Sequence, residues 1–278
     1  SSAAASDVDK RRTVNLALAG TDAKTGDINV AVSKNDPAQA SRATLQVQQN
    51  SARNVTLDAE NFGEVTLGGE NREAIGGNKY PIMMLGGTLK VTATQNITVD
   101  GSIDAGNVEL STTANTSAIT VKSTVTATGN ILVDAASSLT GTQSAIAVGA
   151  ALRGKTVSLS AGRITSGNSI RAEGGSVNLT GYTGDVSVEN LSATGTVNVS
   201  SMNGSIKTAT GESAQGGLVL SAKNAVETGN LTSKTGASIA ASVGAITVKG
   251  RVSAGSGVLS MIAQGDVKVS GSITGGNM

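Results

Sequence analysis

Cysteine, histidine and tryptophan are all absent from these 278 residues. Without cysteine there is no disulfide framework and no thiol chemistry. Without histidine the commonest general base and the imidazole metal ligand are missing, and a Ser-His-Asp triad is impossible. Acid–base work would fall to Asp, Glu, Lys, Arg or Tyr. Aromatics are almost as scarce, with Phe62, Tyr80 and Tyr182 the whole inventory. A thick globular core normally draws on many aromatic rings, because each buries a large apolar area. Any core here is built from Val, Ile, Leu and Ala, which suits stacked strands better than packed helices. No apolar run approaches the roughly 20 residues of a membrane-spanning helix. No secretory signal is read at Ser1, as expected of a mature chain or an excised segment.

Charge of one sign is also lacking. Lys and Arg total 21 against 20 Asp and Glu, so no nucleic-acid partner is expected, since that needs a concentrated positive field. Lys10, Arg11 and Arg12 form the one basic run, read as a solvated edge. Glycine is abundant, at 36 residues, but lacks the strict third-position period of collagen. With 38% of residues hydrophobic and only 15% charged, the balance is the reverse of a disordered chain. The chain is expected to fold.

What is present is a degenerate repeat of about 20 residues from Gly87 onward. Each unit opens with alternating aliphatics, passes a small polar turn, gives a second alternating pair and often a third, then closes at Gly or Asn. Openings fall at Leu89, Val108, Ile131, Val157, Val177, Val197, Leu218, Ile239 and Leu259, separated by 19 to 26 residues. The widest gap holds the looser stretch Ala135–Ala145, read as a surface loop. Alternation at i, i+2 puts aliphatics on one face of a strand and Thr, Ser, Lys or Asp on the other. Gly and Asn suit the corners because they accept positive φ. One unit cannot bury enough apolar surface to offset the ordering of its own backbone, so successive units must stack. The predicted fold is all-β, a right-handed parallel β-helix (β-solenoid) with about 20 residues per coil. Its expected organisation is an extended arm over 1–12, irregular N-terminal coils with loop insertions over 13–86, and a regular shaft over 87–278. Within the second segment, 33–42 and 68–82 are read as loops.

Chemistry-bearing motifs are few. Asp100 with Asp104, and Asp185 with Glu189, are the carboxylate pairs that a glycan-active β-helix enzyme would need, with solvated outward positions as the plainer reading. The Gly-Gly-x-Gly-x-Asp calcium pattern is missing: Gly86-Gly87, Gly174-Gly175 and Gly216-Gly217 lack the aspartate and read as tight corners. Gly255-Ser256-Gly257 leads into a strand and not a helix, so it is no phosphate loop. The threonines Thr92 and Thr94, or Thr124, Thr126 and Thr128, do not recur as an ice-binding array would require. No catalytic, cofactor-binding or metal-ligating residue is assigned, no cofactor is expected, and the chain is read as not an enzyme.

Units such as Gly87-Thr88-Leu89-Lys90-Val91-Thr92-Ala93, Asn96-Ile97-Thr98-Val99, Gly217-Leu218-Val219-Leu220-Ser221-Ala222 and Gly265-Asp266-Val267-Lys268-Val269-Ser270 resemble the β-helix repeats of filamentous haemagglutinin-like exoproteins. These are the two-partner-secretion adhesins and the contact-dependent inhibition proteins. The resemblance covers roughly 87–275 and lies in texture and period. It implies a secreted or bacterial cell-surface shaft, export through an outer-membrane secretion partner, and binding to a receptor or glycan on a host or neighbouring cell. The Asn-Pro-Asn-Gly-Ile type signature of that family's secretion domain is not in this chain, so no functional residue carries over. Eleven or twelve coils are expected, a rod on the order of 55 Å long. The last unit, from Leu259, reads as an interior coil without a polar cap, so the chain is expected to continue or to stack end to end with another copy. A filament subunit is therefore the alternative to an adhesive shaft, and a glycan-active enzyme a third reading.

Overall fold

The computed structural model describes residues 13–19, 28–31, 42–48, 54–59, 63–70 and 79–276. The arm expected over 1–12 and most of the loops expected over 33–42 and 68–82 lie outside these residues. Every described element is a strand. All but two of the strands stack in parallel as a β-solenoid of about nine turns of about 21 residues; the exceptions, Gly69–Glu70 and Lys79–Tyr80, pair antiparallel with each other within the stretch expected as a loop. At roughly 4.8 Å per turn those nine turns are about 43 Å long.

Three flat faces make up each turn. The first carries Val157 to Ala161, Val177–Gly181, Val197–Ser201, Leu218–Ala222 and Ala237–Ala241. The second and third are formed by single strands that bend once, as in Arg163–Ala172, Val186–Ala193, Ile206–Ser213 and Val226–Ser233. Eleven or twelve coils were expected; the regular part makes about nine turns, while eleven strands stack on the first face and twelve on the second. The strands Thr13–Ala19, Ile28–Ala31 and Arg42–Gln48 extend only the first two faces. Among the described residues the third face begins at Ile82.

The period-two pattern sets the register. Val177 pairs with Val197 and Val197 with Leu218, and all three are buried. A one-residue slip would turn every aliphatic of a strand to water, so the pattern fixes the stacking. The inward side chains from Val55 to Ala254 form one continuous apolar cluster with no aromatic ring. The expected opening at Ile239 is displaced: Leu218 pairs with Ala237 and Leu220 with Ile239, so Ala237 takes the first inward position. The insertion runs over 136–144, between Asn130–Ala135 and Ala145–Val148. Its Thr142 and Ser144 are buried, and the Ser144 hydroxyl donates to the Ala135 carbonyl.

The corner glycines serve a different end from the one expected. Most do not adopt positive φ; among the described glycines only Gly68, Gly141, Gly236 and Gly255 do. Instead they let one coil sit directly on the next. A Cβ on Gly204 would lie 2.5 Å from the Gly184 carbonyl oxygen, on the backbone of the coil beneath. In the last coil Val267 and Ile273 are exposed, although their in-register neighbours Ile246 and Val252 are fully buried.

Candidate functional site

The bend between the second and third faces shapes the surface. Each strand that crosses it turns two successive residues outward: Gly167 and Asn168, Glu189 and Asn190, and, with Ala209 and Gly229 leading, Thr210 and Asn230. The second of these positions is a polar ladder, in which the Thr210 hydroxyl donates to Asn190 Oδ1 at 2.8 Å. The Arg251 amide donates to Asn230 Oδ1 at 2.9 Å. These bonds hold the bend on successive coils at a fixed spacing.

Beside the ladder runs a groove of about 600 Å³. Its floor is the row Gly167, Glu189, Ala209 and Gly229, of which all but Glu189 offer at most a methyl group. One wall is the in-register row Thr165, Ser187, Lys207 and Glu227. Glu189 stands towards one end and Lys249 closes the other. Lys249 Nζ donates to Glu227 Oε1 at 2.7 Å, and Lys207 Nζ lies 3.7 Å from the same oxygen. The Lys249 hydrogen bond, helped by the charge of both lysines, holds the Glu227 carboxyl below its ordinary value against the opposing effect of desolvation. Two ammonium groups thus share one carboxylate, and each keeps donor hydrogens for another partner. Across the bend a smaller depression of about 420 Å³ contains Arg153 and Arg171, which are in register, with Glu212 and Asn190.

The carboxylate pairs noted in the sequence are not assembled. Asp100 lies at the turn after Asn96–Val99, 3.9 Å from Lys122 Nζ. Asp104 faces outward on the third face, in the row of Met83, Thr126 and Arg153. Asp185 accepts the Ser205 amide at 2.7 Å, while Glu189 stands beyond the far end of the short strand segment 186–188. That row on the third face also shows why Thr126 joins no threonine array. Of the four residues noted, only Glu189 reaches the groove. Lys207, Glu227 and Lys249 were not singled out, because each is an ordinary outward charge until stacking brings them together. Their signal was the spacing: Lys207 and Glu227 are one coil apart. Among the described residues no group of three or more Asp or Glu could hold a metal ion.

No protein-family profile, curated protein or solved structure matches this chain. The fold and the groove are therefore the ground for a functional reading.

Proposed function

We propose that this chain is a non-enzymatic shaft, structural or adhesive, exposed on or secreted from a bacterial cell, of the filamentous haemagglutinin-like kind. The observation that carries it is the unbroken in-register column of small aliphatics through about nine turns. A solenoid of that kind is stiff along its axis, because every coil is hydrogen-bonded to the next. Its outer faces are rows of Ser, Thr, Asn and paired charges, a surface suited to water and to weak polar contacts. Stiffness with a long lateral surface is what a fibre needs to hold a binding group away from a membrane. An outer-membrane secretion partner would export it, and a receptor or glycan on a host or neighbouring cell would be its target.

The test is antibody labelling of intact source cells, combined with the retention of beads coated with the purified chain on candidate target cells. The reading expects labelling without permeabilisation, loss of label on mild protease shaving, and retained beads. Label only after permeabilisation would overturn the surface assignment, and unretained beads on labelled cells would leave the structural role alone standing.

A further inference from the structure

We infer that the corner groove is a binding site for an extended, uncharged polysaccharide laid along the solenoid axis; this rests on the proposed role as an exposed shaft. The groove's shape comes first. Its lining spans the coils from Thr165 to Lys249, four coil rises or roughly 19 Å, and it follows the stacking direction. A linear polymer fits such a trough better than a compact metabolite, which sites normally enclose.

Charge decides the class of polymer. Lys207 and Lys249 are balanced by Glu189 and Glu227, so the trough has no net charge to concentrate a polyanion. Nor does it suit an apolar peptide or acyl chain: Val188 faces the core, and the outward floor carries the Glu189 carboxylate between Gly167 and Ala209, with no side chain larger than a methyl beside it. What it offers is alternating donors and acceptors. Lys207 and Lys249 donate, Glu189 and Glu227 accept, and the Thr165 and Ser187 hydroxyls do either. Adjacent sugar hydroxyls both donate and accept, and hydrogen bonds to ionised groups are the strong ones. Glu189 has no hydrogen-bond or ion-pair partner among the described residues, which leaves its carboxylate free to accept. The Lys249–Glu227 and Lys207–Glu227 pairs hold the other groups in place before a ligand arrives. No aromatic ring lines the trough, so affinity per site is weak and the site works by repetition along many shafts.

The probes are cellohexaose, fully N-acetylated chitohexaose and xylohexaose, with oligogalacturonate as the acidic comparison, titrated into the intact chain and followed by saturation-transfer NMR. At least one neutral hexasaccharide should bind with a Kd on the order of 1 mM. Lys207→Ala should weaken it about tenfold, as expected for losing one hydrogen bond to a charged group. Ala209→Gln fills the floor while keeping every charge and should abolish binding. Lys90→Ala, on the first face and paired with Glu109 at 3.6 Å, should change nothing. The altered side chains are exposed, and an unchanged circular dichroism melt confirms that each variant is folded. The assignment is overturned if no neutral hexasaccharide binds, if oligogalacturonate binds more tightly, or if Ala209→Gln binds like the parent. A chain that labels the cell surface yet binds no sugar sinks the groove assignment and leaves the shaft reading intact.

Discussion

Replacing Thr228 with valine should stabilise the solenoid, while the same replacement one coil earlier, at Thr208, should weaken it. The two threonines are in register, point into the interior, and lie between Val188 below and Val248 above. The column therefore already accepts valine. What differs is the hydroxyl. Thr208 Oγ1 donates to the Thr210 carbonyl at 3.0 Å, as Ser166 Oγ does to the Asn168 carbonyl on an earlier coil. Thr228 Oγ1 is buried with no hydrogen-bond partner. An unpaired buried hydroxyl costs about 1–3 kcal/mol, and a buried methyl contributes about 0.8 kcal/mol. Thr228→Val should gain about 2–4 kcal/mol on that basis. Thr208→Val gives up a bond worth about 0.5–1.5 kcal/mol and leaves an acceptor short, so it should lose roughly 0.5–1 kcal/mol after the methyl is counted. Urea unfolding followed by far-ultraviolet circular dichroism is the assay, since a chain without Trp gives little fluorescence. With unchanged m-values, the midpoints should move to opposite sides of the parent. Shifts of the same sign, or a loss at Thr228→Val, would refute the assignment of the unpaired hydroxyl.

Two further perturbations separate close coil stacking from surface charge. Gly204→Ala puts a Cβ 2.5 Å from backbone of the coil beneath and should cost about 2–3 kcal/mol by overpacking. Gly167→Ala, with nothing within 4 Å of its Cβ, should gain roughly 0.5 kcal/mol through the unfolded chain; equal urea midpoints for the two would contradict the stacking geometry. With no histidine, the melting temperature should be flat between roughly pH 6 and 8. The Glu227 carboxyl is held below its ordinary value of 4.5, so its stabilising effect is present above that pH and is lost as pH falls through the lower folded value. Glu227→Gln should flatten part of the acid slope, by a small amount because the pair is exposed; an unchanged slope would deny the Lys249–Glu227 bond in solution.

The apolar columns were legible because strict alternation leaves one register in which aliphatics meet, as at Val177, Val197 and Leu218. The loop over 136–144 was legible for the converse reason, that alternation lapses there. The third face was harder to read. Its inward positions include Gly211, where the leucine ends of Leu231 and Leu218 come within about 3 Å of where a Cβ would stand. A glycine filled by its neighbours leaves no apolar signal of its own. Inward Thr208, Thr228, Ser201 and Ser213 likewise look like surface residues until their hydroxyls are seen bonding to the backbone at bends, or, at Thr228, failing to. Ala237 carries little apolar weight, so the alternation points to Ile239 as the opening although Ala237 is the in-register partner of Leu218. The groove was the least legible feature: the one-coil spacing of Lys207 and Glu227 was its only signal, since coil lengths vary and only the register brings Glu189, Lys207, Glu227 and Lys249 side by side.

The stacking itself is best tested by pulsed electron resonance between nitroxide labels on cysteines introduced into this cysteine-free chain. Lys90, Glu109, Leu132, Ser158, Asn178, Asn198, Val219 and Ser238 form one outward row of in-register neighbours. Labels at Ser158 and Ser238 should be about 19 Å apart, and labels at Lys90 and Ser238 about 34 Å, each coil adding roughly 4.8 Å. Distances that fail to grow in proportion to the coils between the labels would contradict the solenoid.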